Sequence, residues 1–392
     1  MASPPSTKKH KDLPVHLIHQ RILPCLPFKC LSRYKCVSKE IYSLISTDAK
    51  FAADQSRLAN TSSSGFVYMT RRGLSFFPDP TLIGVPNPSL KFLNPTSIRE
   101  IKLVSSTNGL LLLYGEFNGM KSHCVCNPAT KEMVVVPNAV NVVGEKFDYT
   151  EMGLAYDPCE SPDRFTIVHP LMYDRRDGSH GAQYQFDVFR SDTGKWTRSS
   201  QRISIYTISA AVKPLCAAKG VIYWCCGKYL LWYDIQRDIA GSLSLPEIRG
   251  VIDVGVCASE ITFCCASSSQ MEVWTLNGRG WGSPWELTHA EYWDSMADVL
   301  GFCPGLDLRY QSMFDMNMGR TIRPVGFDGQ FIYIAVRLKH RDKTEKLFSW
   351  DLETGRVEGK GVITIKGSWR EDQAFNYVNS MARVPQVFNV TS

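Results

Sequence analysis

Residues 214–246, PLCAAKGVIYWCCGKYLLWYDIQRDIAGSLSLP, decide the fold. Short apolar runs rich in β-branched and aromatic residues alternate here with glycine and polar turns, which is the signature of strands joined by hairpins. PLCAAKGVIYWCC reads as one strand pair, and LWYDIQRDIAGSLSLP as a strand, a polar turn and an answering strand. Together they make a four-stranded unit. A single four-stranded sheet cannot bury both of its faces. Sheets stacked around an axis bury them against one another, which is the logic of a β-propeller blade.

The same turn recurs along the chain. A strand ends in a polar turn and is answered by another at CVCNPATKEMVVVP, DVFRSDTGKW, VWTLNGRGW and SWDLETGRVEG as well. Aligned on Asn127, Arg190, Asp234, Thr275 and Asp351, the five hairpins are 63, 44, 41 and 76 residues apart. The two short intervals match the ~40–50 residue period of a propeller blade. The two long ones predict a blade with an insertion, or a second degenerate blade. A ring must close, so the first and last units should share a sheet. FVYMT (66–70) and FNYVNSMARV (375–384) are the candidate closing strands, and a sixth sheet beside the five hairpins is expected from residues 66–104 and the C-terminus.

The chain changes character before residue 66. Residues 12–58 read as three short helices. Asp12 can cap the first and Pro14 sits near its first turn. Leu17, Ile18, Ile22, Leu23 and Leu26 follow at helical spacing. Pro27 ends that helix and can start the next, where Leu31 and Tyr34 lie three apart. Ser38 can cap a third helix carrying Ile41, Leu44 and Ile45. So small a unit buries little surface. Part of its apolar stripe should be covered by a partner chain or by the rest of the protein. Residues 1–11 read as a disordered tail, 59–65 as a linker and 66–392 as the β domain.

Charge separates the two parts. The chain carries a formal +6. Residues 1–11 contribute +3 and residues 12–58 another +3, while the remaining 334 residues hold 34 basic and 34 acidic side chains. A nucleic-acid binder would carry a basic stripe in its main domain; here the excess at the front suits an acidic protein partner. No apolar run reaches the ~18 residues that span a bilayer, so no membrane partner is expected. The lysines of MASPPSTKKHKD precede no apolar core, so no secretory signal is expected. The expected location is the nucleus, the cytoplasm or both, and KKHK (8–11) is too short to choose. The sequons at Asn60 and Asn389 are then not expected to be glycosylated. Most of the thirteen cysteines read as reduced, buried small hydrophobes. Cys124 and Cys126 would share a strand face, whereas Cys225-Cys226 and Cys264-Cys265 would point to opposite faces.

No catalytic constellation is evident, and no metal or cofactor is expected. His123, His169, His180, His289 and His340 are scattered through the β region. Gly278, Gly280 and Gly282 lack the strand–loop–helix context of a phosphate loop and read as a hairpin turn, as does Thr193-Gly194-Lys195. Asp351 and Glu353 read as solvated turn residues. The binding surface should lie on loops at the ends of the blades. The most unusual stretch is 285–320. Its Tyr292, Trp293, Tyr310, Met313, Phe314 and Met316 provide adaptable contact area for a target, or else fill the core of a further blade. The polar loop 173–183 is a second candidate.

The helical front resembles the F-box. The family pattern is carried by Leu13-Pro14, Leu17-Ile18, Ile22-Leu23, Leu26-Pro27, Leu31 and Cys36-Val37-Ser38-Lys39, followed by Leu44-Ile45 and Phe51. Ile41 stands where the family often has tryptophan, which removes one packing contact and keeps an apolar side chain on the same face. The β part resembles the kelch-like F-box-associated domain of plant F-box proteins, through SSTNGLLLLY (105–114), VCNPATKE (125–132), GLAYDP (153–158), YQFDVFRSDTGKW (184–196), AAKGVIYW (217–224) and YDIQ (233–236). Residues 285–320 fit that pattern poorly. The resemblance implies a small all-α F-box of three helices followed by an all-β, kelch-like β-propeller. It implies that residues 13–41 dock on a Skp-type adaptor, and through it a cullin, while the β domain holds an unidentified target protein. Such a subunit is a non-catalytic substrate receptor of a ubiquitin ligase. The alternatives are a non-degradative scaffold, or a propeller that binds glycans or acts as an enzyme.

Overall fold

A computed structural model describes residues 13–59, 65–70, 73–77, 90–93, 101–117, 119–138, 151–158, 160–174, 181–206, 212–217, 220–246, 251–257, 260–267, 269–277, 284–300, 321–328, 330–337, 344–364 and 374–387. The β region is a six-bladed propeller. The closing blade is built from both ends of the domain: β1 (Gly65–Thr70) and β2 (Gly73–Phe77) come from the front. Blade 1 holds β3 (Lys102–Thr107), β4 (Leu110–Phe117), β5 (Met120–Asn127) and β6 (Glu132–Val136). Blade 2 holds β7 (Gly153–Ala155), β8 (Thr166–Asp174), β9 (Ala182–Arg190) and β10 (Lys195–Ile205). Blade 3 holds β11 (Val212–Ala217), β12 (Val221–Cys226), β13 (Tyr229–Asp234) and β14 (Ile239–Ser244).

Blade 4 holds β15 (Val251–Cys257), β16 (Glu260–Ala266), β17 (Gln270–Leu276) and β18 (Trp285–Tyr292). Blade 5 holds β19 (Thr321–Asp328), β20 (Phe331–Arg337), β21 (Thr344–Asp351) and β22 (Val357–Thr364). The last strand, β23 (Ala374–Tyr377), pairs antiparallel with β1, with Val67 opposite Phe375. The closing sheet therefore runs β2-β1-β23, and each other blade keeps its four strands in sequence order. The innermost strands β23, β3, β7, β11, β15 and β19 lie each against the next, and β19 lies against β23.

Both faces of each blade are buried, and the pleat explains how. On β12, Ile222, Trp224 and Cys226 pack with Tyr184 and Phe186 of blade 2. The intervening Tyr223 and Cys225 pack toward Phe263 and Trp285 of blade 4. On β4, Leu111 and Leu113 meet Phe375 and Tyr377 of the closing blade. Leu110 and Leu112 meet Leu154, Ile167 and Phe189 of blade 2. Clusters at the blade 4–5 and blade 5–closing interfaces complete the ring. A strand covered on both sides needs apolar residues at successive positions, and hence reads as a continuous run. The cysteines obey the same rule. Cys124 and Cys126 share the closing-blade interface, whereas Cys225/Cys226 and Cys264/Cys265 split between opposite faces.

All five predicted hairpins join the third and fourth strands of a blade. Three of them owe their recurring Asn or Asp to an Asx turn. The Asn127 carboxamide oxygen accepts the Ala129 N–H at 2.9 Å. Asp234 accepts from Gln236 (2.9 Å) and Arg237 (3.0 Å), and Asp351 from Glu353 (2.9 Å) and Thr354 (3.3 Å). The two long intervals include the passages from Val136 to Gly153, between blades 1 and 2, and from Tyr292 to Thr321, between blades 4 and 5. The second begins with α5 (Trp293–Leu300), whose Trp293, Met296 and Leu300 are buried between blades 4 and 5.

The helical front has more pieces than three helices. Its first run combines an α turn, α1 (Val15–Leu17), a π segment (Ile18–Ile22) and a 3-10 turn (Leu23–Cys25). Then follow α2 (Phe28–Tyr34), α3 (Lys39–Thr47) and a further helix, α4 (Ala49–Ala59). Ser38 caps α3 by accepting the Ile41 N–H at 3.1 Å. Asp48 caps α4 by accepting the Phe51 N–H at 2.8 Å. Pro14, not a capping side chain, precedes α1, and Asp12 lies outside the described residues.

The β3–β4 turn of blade 1 shows how closely the last residues approach the ring. Asn108 and Gly109 there have positive φ (48° and 89°). A Cβ on Gly109 would collide with the Ser380 hydroxyl and come within 3.0 Å of the Val378 carbonyl oxygen. Gly109→Ala is therefore expected to cost about 2 kcal/mol or more, through backbone strain and lost seating of residues 378–384. Urea denaturation followed by tryptophan emission measures it, and an unchanged midpoint would contradict the reading.

Candidate interface of the helical domain

The helical domain sits on the end of the ring where the β3–β4 and β5–β6 turns of blade 1 emerge. Residues 378–384 lie between the two. The Asn127 carboxamide donates to the carbonyls of Ser380 (3.1 Å) and Ala382 (2.7 Å). The Val384 N–H donates to Glu132 at 2.8 Å, and the Ser380 hydroxyl to the Asn108 carbonyl at 3.1 Å. From the other side, the Gln55 carboxamide oxygen in α4 accepts the Met381 N–H at 2.8 Å. Arg383 donates to the Ser46 carbonyl at 3.1 Å. Leu23, Phe28, Leu31, Ile45, Phe51 and Ala52 close over Met381 and Ala129.

The apolar stripe expected from the sequence is thus split. Leu23 (2% exposed) and Leu31 (0%) face the ring and are not presented to a partner, which corrects their assignment to an adaptor surface. Ile18, Leu26 and Ile41 are half-buried against the same cluster. Leu13, Pro14, Leu17, Ile22, Pro27, Cys36, Val37, Ser38 and Lys39 are exposed. Val15, Tyr34 and Tyr42, which the sequence reading left out of the surface, are exposed too. Of the sixteen large apolar side chains exposed among the described residues, eight lie in residues 13–58. Such concentration in one small unit leaves its outer side unusually apolar. Arg21, Arg33, Lys39 and Lys50 are exposed around it.

The other candidate surface divides as well. Tyr292 is 63% exposed at the end of β18. Trp293 is 1% exposed and its indole N–H donates to the Ser267 carbonyl at 2.9 Å, so it is core and not a target contact. Tyr310, Met313, Phe314 and Met316 lie outside the described residues, as do Gly278, Gly280, Gly282, His180 and His340. Strand direction sets the place of these loops. Turns within blade 1 at 107–110 and 127–132 emerge at the helical-domain end. The end of β8 at Asp174, the start of β9 at Ala182 and the end of β18 at Tyr292 lie at the opposite end. Tyr206, at the end of β10, is exposed there too.

The described residues hold no group of three or more His, Cys, Asp or Glu placed to bind a metal. His123, His169 and His289 stand in blades 1, 2 and 4. Asp351 does what its turn requires: hydrogen bonds from Thr354, Glu353 and Gln330 outweigh partial desolvation and hold its carboxyl below the usual range. The buried thiols are far from nucleophilic. Burial pushes Cys226 and Cys265 each up to about 12. No described helix is long and apolar enough to cross a membrane.

The sequence matches no protein-family model, and no curated protein matches it. Solved structures with a similar fold include TolB from Acinetobacter baumannii, with 10% identity and TM-score 0.39 over 79% of this chain and 64% of that one. An oligogalacturonate lyase in complex with manganese is 12% identical, with TM-score 0.34 over 65% of this chain and 62% of that one. Prolyl oligopeptidase B from Galerina marginata is 11% identical, with TM-score 0.32 over 87% of this chain and 44% of that one. The chain thus spans less than two thirds of each of these proteins. At such identities and scores the likeness says nothing about activity.

Two outcomes test the division of the helical domain. Leu23→Ala should destabilise the protein by about 2–4 kcal/mol, as a buried truncation does, whereas Leu17→Ala should change stability by less than about 0.5 kcal/mol. Equal effects in thermal denaturation would refute the two-faced arrangement. Separately, iodoacetamide at pH 8 should label exposed Cys25 and Cys36 while Cys226 and Cys265 stay unmodified until the protein unfolds. Early labelling of either buried thiol, read by peptide mass, would contradict the packing.

Proposed function

We propose that this chain is a substrate-recognition subunit of a Skp–cullin–F-box ubiquitin ligase. The observation that carries the reading is the outward face of the helical domain. Its exposed Leu13, Leu17, Ile22 and Val37 belong to the residues through which the front resembles an F-box. The ring explains why they are exposed: it already covers the inner face, through Leu23 and Leu31. A Skp-type adaptor covering the outer face would remove apolar surface from water at roughly 25 cal/mol per Å². The exposed Arg21, Arg33 and Lys39 suit an acidic adaptor, by steering encounter more than by adding affinity.

The target would be held at the far end of the ring, where Tyr292, Tyr206, Asp174 and Ala182 lie. The kelch-like character of the ring and a plant origin belong to the same resemblance. On this reading the subunit contributes proximity: it holds target lysines near ubiquitin activated elsewhere in the complex. Its place of action would be the nucleus or the cytoplasm.

The full-length protein with Leu17→Asp and Ile22→Asp provides the test. Both residues are exposed, so the thermal midpoint should stay put, while binding to a purified Skp-type adaptor should weaken by about 100-fold or more. Undiminished adaptor binding would sink the proposal, and so would failure of the unaltered protein to bind.

A further inference from the structure

We infer that residues 378–384 are a mechanical latch through which the helical domain and the ring closure open and close as one cooperative unit. Three observations lead there. First, the segment directly continues β23, the strand that closes the ring against β1. Second, its next residues are held by blade 1 at Asn127, Glu132 and Asn108. Third, Gln55 and Arg383 join the same segment to α4 and to the end of α3. Gln55 is 1% exposed, so in the seated state its hydrogen bond with Met381 is made out of reach of water. Leaving a buried polar group unsatisfied is costly, which couples the two sides more tightly than an exposed hydrogen bond would.

The segment also has a face toward the blade 1–2 interface. Ala382 and Val384 are buried there with Leu110, Leu154 and Phe165, while Met381 points into the helical domain. Successive residues thus serve opposite bodies. Displacing the helical domain unseats Met381, and withdrawing Ala382 and Val384 from the ring unseats α4. Linkage makes the effect reciprocal: whatever binds the outer face of the helical domain and favours its seated state must also stabilise the closing blade.

Hydrogen exchange on the full-length protein, read by mass spectrometry, tests this. Gln55→Ala should speed exchange roughly fivefold to tenfold, from the loss of one buried hydrogen bond, both in α4 and throughout 378–387. Arg383→Ala, altered from the other side, should speed exchange in α3 and α4 as well. Peptides from β12 and β13 of blade 3, which packs only against blades 2 and 4, should not change and serve as the internal reference. The latch is refuted if Gln55→Ala speeds only the Met381 amide, or if Arg383→Ala leaves the helices unchanged. Should Gln55→Ala fail to fold, the Arg383→Ala arm decides alone, because its side chain is half-exposed and its loss is tolerated more easily.

Discussion

The pairing of Ala374–Tyr377 with Gly65–Thr70 is the constraint on which the rest depends. An open row of five blades would leave one face of blade 1 and one face of blade 5 in water. Leu111, Leu113 and Phe117 on one side, and Ala335 and Leu347 on the other, would then be exposed. Joining the last strand to the first covers both. It costs the entropy of bringing together residues about 300 positions apart, a term that grows only slowly with length. The gain is two complete apolar interfaces.

The residues after the closing strand turn this closure into a seat. Asn127 has two tasks there: its oxygen shapes the blade 1 turn and its nitrogen holds the segment that follows β23. The helical domain, too small for a comfortable core of its own, completes that core with Met381 and Ala129. It is a partial domain that borrows one face from the ring and leaves the other to solvent. The outer face is then fixed at one end of the ring, and exposed Tyr206 and Tyr292 lie at the other.

Much of this was legible in the sequence. The turn residues Asn127, Asp234 and Asp351 recur because an Asx turn needs a short side chain with a carbonyl or carboxylate oxygen. Closure by 66–70 and 375–384 followed from the need to bury both faces of every sheet, and of the second stretch the strand itself is Ala374–Tyr377. Ser38 announced its cap. What the sequence hid was direction. Helical spacing places Leu17, Ile18, Ile22, Leu23 and Leu26 in one apolar set, but it cannot say which of them a distant segment such as Met381 will cover. The first run is also partly π and 3-10, so its side chains rotate away from the 3.6-residue register. Trp293 misled for a related reason. An aromatic in an insertion looks like a contact residue until the helix it starts is seen to pack between two blades. Gln55, a polar residue with nothing unusual around it in sequence, gave no signal at all.

The central claim is that the outer face of the helical domain, and no part of the ring, receives the adaptor. Lysine cross-linking of the full-length protein mixed with a Skp-type adaptor, read by mass spectrometry, addresses this most directly. The predicted result is adaptor cross-links at Lys29, Lys39 and Lys50, with none at Lys121 or Lys228 at the far end of the ring. Cross-links concentrated at Lys121 or Lys228, with the helical-domain lysines silent, would contradict it.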